Sequence, residues 1–113
     1  MNKLAYIHFR NRCRERFGIT LSEKQVEEIE QCCRDGSYYK IEDQRPGVAL
    51  YRVQMGREMS AVAYDGDRRT VLTILPIAWT GRAYRMERKR ALEVAEAAVS
   101  GTVEREGGKW PAA

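Results

Sequence analysis

One histidine and two arginines at helical spacing carry the clearest chemical signal in the sequence. His8, Arg12 and Arg16 are four residues apart, so a helix over this segment places them on one stripe. Histidine is the side chain that most readily exchanges a proton near neutrality, and arginine binds phosphate through paired N–H groups. The stripe therefore indicates an acid or base beside fixed positive charge, which suits a reaction through an anionic phosphorane-like state. A half-exposed histidine on a basic helix face is the alternative interpretation.

A second basic segment lies towards the C-terminus. Its five cationic residues, set against the single carboxylate Glu87, are Arg82, Arg85, Arg88, Lys89 and Arg90. Positive charge at the start of a helix opposes the helix dipole, so an anionic partner is indicated as compensation. Trp79 and Tyr84 lie close enough in sequence to stack a base beside these charges. A solvated helix face, partly neutralised by Glu87 and Glu93, is the alternative.

Composition restricts the class of protein. The chain has 113 residues, 43% of them hydrophobic, and a formal net charge of +4, which is typical of one domain with a modest core. No apolar run reaches the roughly 18 residues of a membrane span, and the N-terminus lacks the apolar segment of a secretion signal. Cys32 and Cys33 are adjacent and the third cysteine is unpaired, so no disulfide framework is expected. We therefore expect a cytoplasmic protein, in the host cytoplasm if it is phage-encoded, with no membrane partner, no metal and no cofactor.

Three helices are predicted from periodicity and end signals. The first covers residues 3–17, and its apolar stripe consists of Tyr6, Phe9, Cys13 and Phe17. The second covers residues 22–35, after two overlapping capping boxes, and ends at Gly36. The third covers residues 82–99. Residues 101–113 are expected to form a flexible tail.

Between residues 38 and 76 the pattern changes from helical to alternating. Residues 48–55 alternate between apolar and polar side chains, and Asp65-Gly66 is the strongest hairpin signal in the chain. Residues 70–75 are β-branched and almost entirely apolar, which favours a central strand. Four strands with short connections predict an antiparallel meander. The two N-terminal helices are expected to cover one face of this sheet. The expected fold is thus a single α+β domain over residues 1–100.

The order of these motifs resembles a known family. The motifs are His8-x3-Arg12-x3-Arg16, an acidic capped helix, Ala63-Tyr64-Asp65-Gly66, and the strand that ends at Pro76. Over about residues 4–76 they resemble small phage and bacterial domains grouped with the barnase, EndoU, colicin and RelE ribonucleases. The resemblance implies two N-terminal helices on a four-stranded antiparallel sheet. It also implies metal-independent RNA cleavage by attack of the 2′-hydroxyl on the adjacent phosphate.

The same resemblance assigns candidate roles to individual residues. The implied catalytic set is His8, Arg12, Arg16, Tyr64 and Thr73. His8 would act as acid or base, and the two helix arginines would hold phosphate. Thr73 resembles the Ser or Thr that often lines such sites, and Tyr64 or Arg52 could complete the set. Many active relatives place a second histidine or lysine on the sheet, whereas this chain has only one histidine. Proton transfer would therefore also need Arg, Tyr or Glu.

Three functions remain open at this point. The first is a metal-independent endoribonuclease of the toxin or phage-effector kind, with RNA as substrate and an antitoxin as a possible protein partner. The second is a non-catalytic phage or mobile-element protein that inhibits a host nucleic-acid enzyme, as anti-CRISPR and anti-restriction proteins do. The third is an RNA- or DNA-binding module without chemistry. The predicted nucleic-acid-binding residues are Arg52, Arg82, Arg85, Arg88, Lys89 and Arg90.

Overall fold

Two helices, four strands and a third helix follow one another along residues 3–100, the part of the chain that the computed structural model describes. The helices are α1 (Lys3–Phe17), α2 (Glu23–Asp35) and α3 (Arg85–Ser100), and the strands are β1 (Tyr39–Arg45), β2 (Val48–Met55), β3 (Glu58–Asp65) and β4 (Thr70–Pro76). This order confirms the predicted α+β fold. The predicted tail, residues 101–113, lies outside the described residues. Each helix of the described part falls short of the length and apolar content that a bilayer crossing requires.

Local signals explain where the helices begin and end. The Ser22 hydroxyl accepts a hydrogen bond from the Gln25 backbone N–H at 3.1 Å, and the Gln25 side chain accepts one from the Ser22 N–H at 2.8 Å. Gly36 then ends α2 with a left-handed backbone, φ 83°. Helix α3 begins at Arg85 instead of residue 82, because the preceding three residues form a separate 3₁₀ turn after an extended Gly81.

The sheet is an antiparallel meander with the strand order β1-β2-β3-β4, as the turn signals predict. Strand β4 therefore lies at an edge of the sheet, and the prediction of a central strand is wrong. Its apolar sequence reflects burial by helices on both faces of the sheet. The Arg16 guanidinium of α1 donates to the Ile74 carbonyl at 2.6 Å, and the Glu30 carboxylate of α2 accepts from the Val71 N–H at 2.9 Å. These side chains occupy backbone groups that a neighbouring strand would otherwise bind.

Helices cover both faces of the sheet. One buried cluster contains α1 and α2 residues together with alternating β2 and β3 residues, among them Phe9, Ile29 and Tyr64. The second cluster lies on the opposite face and contains Ala5 of α1 and Ala95 of α3. The expectation that both N-terminal helices cover one face is thus incomplete, because α1 contributes to both clusters and α3 covers the second face. This arrangement brings α1, β4 and α3 together along one side of the molecule.

Candidate functional site

A cleft of about 360 Å³ opens where α1, β4 and α3 meet. Its polar and aromatic lining consists of His8, Arg12, Glu15, Arg16, Thr73, Trp79, Glu87 and Arg90. The fold thus brings together four of the five residues of the implied catalytic set, from segments more than fifty residues apart in sequence. It also adds Arg90 from the C-terminal basic segment. We take this cleft as the candidate site because it brings basic, imidazole and hydroxyl side chains together.

The imidazole of His8 is the most perturbed group in the cleft. The residue is only 5% exposed. Burial, followed by the positive charges of Arg12 and Arg16, lowers the pKa of His8 from 6.5 to about 3. The side chain is consequently neutral at physiological pH. In this form it can act as a base by accepting a proton, but it has no proton to donate as an imidazolium acid would.

Both arginines of the α1 stripe are already engaged within the protein. Arg12 forms an ion pair with Glu15 one turn further along the helix. Arg16 binds the Ile74 carbonyl, and its guanidinium lies 5.0 Å from the centre of the Trp79 ring. Burial lowers the pKa of Arg16. The two guanidinium groups therefore hold fixed positive charge beside His8, and Arg16 also ties α1 to β4.

Thr73 lies at the floor of the cleft and is 1% exposed. Among the described residues, its hydroxyl is one of the buried polar groups that have no hydrogen-bond partner. Such a group costs about 1–3 kcal/mol relative to a paired one, and in native proteins it commonly has a functional or solvent-related cause. Thr73 thus adds unused hydrogen-bonding capacity at the base of the cleft.

Tyr64, the remaining member of the implied catalytic set, lies elsewhere. Thr73 pairs with Ala63, whereas Tyr64 pairs with Val71 beyond a register shift, so Tyr64 belongs to the face that α2 covers. Its hydroxyl accepts a hydrogen bond from Arg34 at 3.2 Å. Tyr64 does not line the cleft, so the structure does not bring it together with His8.

The C-terminal basic segment divides into parts with different surroundings. Arg90 lines the cleft, while Arg85 and Lys89 line a groove on the β1 side of α3. These three side chains and Arg82 are exposed, as a nucleic-acid contact requires. The sequence predicts a single basic face, whereas the structure divides these residues between two surfaces on either side of α3.

Arg88 is a correction to the predicted set of exposed contacts. It is 9% exposed, its guanidinium donates to the Trp79 carbonyl and, at 3.0 Å, to the Gly81 carbonyl, and it lies 3.7 Å from the Glu42 carboxylate. These contacts connect α3 to the segment after β4 and to β1. The local sequence conceals this role, but Arg88 falls on the same helical stripe as the buried Ala95 and Val99.

Arg52 is exposed but lies apart from the cleft. Its guanidinium is 5.5 Å from the centre of the Tyr39 ring, and Tyr39 is its cross-strand partner. The cleft also contains two carboxylates, Glu15 and Glu87, that the sequence pattern did not assign to this site. Glu15 could have been found from its spacing of three residues after Arg12.

The three cysteines are thiols without a disulfide. Burial and the neighbouring Cys32 raise the pKa of Cys33 to about 12, and burial also raises the pKa of Cys13. Both groups remain protonated at neutral pH and are poor nucleophiles. Within residues 3–100, no three His, Cys, Asp or Glu side chains are grouped as metal ligands.

Comparisons with protein-family models, characterised proteins and solved structures found no significant match to this chain.

Proposed function

We propose that the protein is a metal-independent endoribonuclease whose cleft between α1, β4 and α3 binds a phosphate of single-stranded RNA. The observation that carries the proposal is the convergence of His8, Arg12, Arg16 and Thr73 in that cleft. The sequence resemblance to barnase-, EndoU-, colicin- and RelE-like ribonucleases supports the same function. Cationic side chains in a partly closed site stabilise an anionic transition state more than they would in water.

The proposed reaction uses His8 as the base. The 2′-hydroxyl gives its proton to the imidazole, and the 2′-oxygen forms a bond to the adjacent phosphorus. The bond between phosphorus and the 5′-oxygen breaks, and the leaving oxygen takes a proton from water. The hydroxide that remains takes the proton from the His8 imidazolium, which restores the neutral base. The products are a 2′,3′-cyclic phosphate and a 5′-hydroxyl end. Arg12 and Arg16 stabilise the charge on the non-bridging oxygens.

The low pKa of His8 limits how this chemistry can work. A base is most effective when its pKa lies near the working pH, and about 3 is far below neutrality. Burial is the largest cause of the low value, and the charges of Arg12 and Arg16 are the smaller ones. A bound phosphate offsets these charges but not the burial, so we expect substrate binding to raise the pKa of His8 only part of the way towards 6.5.

Cleavage of an end-labelled single-stranded RNA in EDTA tests the proposal. The wild-type protein should leave 2′,3′-cyclic phosphate ends, and His8→Ala should reduce cleavage by about 100-fold or more, the usual scale for removal of a general acid or base. Arg57→Gln is the matched control, because Arg57 is exposed in the turn between β2 and β3. Cleavage that survives in His8→Ala, or that EDTA abolishes, contradicts the mechanism.

A nucleic-acid-binding protein without chemistry is the second candidate. The buried, neutral state of His8 favours it, since an imidazole with a pKa of about 3 is a weak base. RNA binding to the same cleft without any cleavage product would support this candidate over the ribonuclease. No affinity for RNA or DNA, together with a defined complex with a host nucleic-acid enzyme, would instead support an inhibitor.

A further inference from the structure

An aromatic stack borders the cleft. The rings of Trp79 and Tyr84 are nearly parallel, with an interplanar angle of 10° and 6.4 Å between their centres. The Arg16 guanidinium lies 5.0 Å from the centre of the Trp79 ring. Arg16 and Trp79 both line the cleft. The three side chains thus form a continuous series from the cleft to the Tyr84 ring.

The backbone that carries these rings is held in place by hydrogen bonds. Arg88 donates to the carbonyls of Trp79 and Gly81, and the Tyr84 N–H also donates to the Gly81 carbonyl, at 3.2 Å. The Thr80 hydroxyl donates to the Ile77 carbonyl at 2.7 Å. A buried arginine used in this way fixes the aromatic segment relative to α3. The rings are therefore positioned before any ligand arrives, which lowers the entropy cost of stacking on them.

The outer ring of the stack is open to solvent, and exposed cationic residues lie near it in sequence. Tyr84 is 41% exposed, so its ring is accessible to a ligand. Arg82, Arg85 and Arg90 are exposed along the same stretch of chain. Aromatic rings that stack bases beside cations that bind the backbone are the combination found in single-strand-binding sites.

We propose that Tyr84 stacks a nucleobase of the RNA strand whose phosphate lies in the cleft. The inference rests on the proposed function and gives a structural reason for its preference for unpaired RNA. A base within a duplex is already stacked on its neighbours and cannot cover the Tyr84 ring. The ring recognises the face of a base instead of its edges, so it selects for single strands and tolerates different sequences.

Binding of a 2′-O-methyl RNA hexamer tests the inference, because this probe cannot undergo attack by the 2′-oxygen. Trp79 and Trp110 are the only tryptophans, so Trp79 fluorescence reports binding in a Trp110→Phe background. Tyr84→Ala and Tyr84→Leu should each weaken binding by about 5- to 150-fold, the range for removal of one base stack. Tyr84→Phe should bind like wild type. Tyr84→Leu keeps an apolar side chain at this position and guards against a folding defect in Tyr84→Ala.

Met86→Ala is the control, because Met86 is 61% exposed and takes no part in the stack. A set of hexamers with one abasic position each adds a second readout. When the abasic position is the one that faces Tyr84, wild type and Tyr84→Leu should bind equally, because no base remains there to stack.

The outcomes distinguish the proposal of base stacking on Tyr84 from the proposal of phosphate binding in the cleft. Equal affinity of wild type and Tyr84→Leu for the intact hexamer, with Arg90→Gln weakened, overturns the inference and leaves the cleft proposal intact. No binding by wild type overturns both. Binding that depends on Tyr84, without cleavage of ordinary RNA, supports the stack and refutes the ribonuclease.

Discussion

The two basic helices differ in what their arginines contact. In α1, Arg12 pairs with Glu15, and Arg16 binds a backbone carbonyl of β4, so both charges are held inside a cleft. In α3, Arg85, Lys89 and Arg90 are exposed. Partly buried charges keep a fixed geometry and act in a low dielectric, whereas exposed charges are screened by salt. Under the proposed function, α1 would provide the chemistry of the site and α3 would contribute affinity for an extended polyanion.

Arg88 is the exception within α3, and its replacement should have the largest effect on stability. Arg88→Gln removes a buried guanidinium from two carbonyls and from the neighbourhood of Glu42. We expect the free energy of unfolding to fall by about 2–3 kcal/mol, since charged hydrogen bonds are removed and buried acceptors remain. Urea unfolding measures this change. Arg57→Gln should stay within about 0.5 kcal/mol of wild type.

An Arg88→Gln protein as stable as the Arg57→Gln control would contradict the structural role of Arg88.

His8 should make the stability of the protein depend on pH. In the unfolded chain it has the ordinary pKa of 6.5, whereas in the folded protein the pKa is about 3. Between these pH values the unfolded state binds more protons than the folded state. The contribution of His8 to the free energy of unfolding is therefore fully present above about pH 6.5 and is lost as the pH decreases towards 3. The slope from this one group is up to about 1.4 kcal/mol per pH unit.

Urea unfolding of wild type and His8→Gln between pH 4 and pH 7 isolates this contribution, because glutamine does not titrate. The wild-type curve should be steeper than that of the variant. Parallel curves would show that His8 is not buried in its neutral form.

How much of this arrangement the sequence predicts depends on the range of the interactions. The caps of α2 and the hairpin at Asp65-Gly66 are local, so the elements and their order follow from the pattern. The apolar run of β4 points to a central strand although the predicted meander places β4 at an edge, because burial by helices and burial by strands produce the same apolar run. The separation of Tyr64 from Thr73 depends on a register shift between β3 and β4, which no local motif encodes. The cleft residues of α1 were predictable because i, i+4 spacing fixes a common face.

The exposed charges of α3 should have the smallest effect on folding and a graded effect on binding. Replacing Arg85, Lys89 and Arg90 by glutamine should reduce the salt dependence of RNA binding, by about 0.7 in the logarithmic slope for each phosphate that is no longer neutralised. The free energy of unfolding should stay within about 0.5 kcal/mol of wild type. Binding titrations at two or more salt concentrations measure the slope, with Arg57→Gln as the control. An unchanged slope of affinity against salt concentration would show that these three side chains do not contact the RNA phosphates.

NMR titration of the imidazole tests the central claim most directly, because His8 is the only histidine and gives a single set of ring signals. In the protein alone, the ring should remain neutral down to about pH 4 and titrate with a pKa of about 3. With a saturating 2′-O-methyl RNA hexamer, the pKa should rise part of the way towards 6.5, because a phosphate in the cleft offsets the charges of Arg12 and Arg16 while the larger effect, burial, remains. A pKa near 6.5 without RNA, or no change when RNA is bound, would contradict the account of this cleft as an RNA phosphate site.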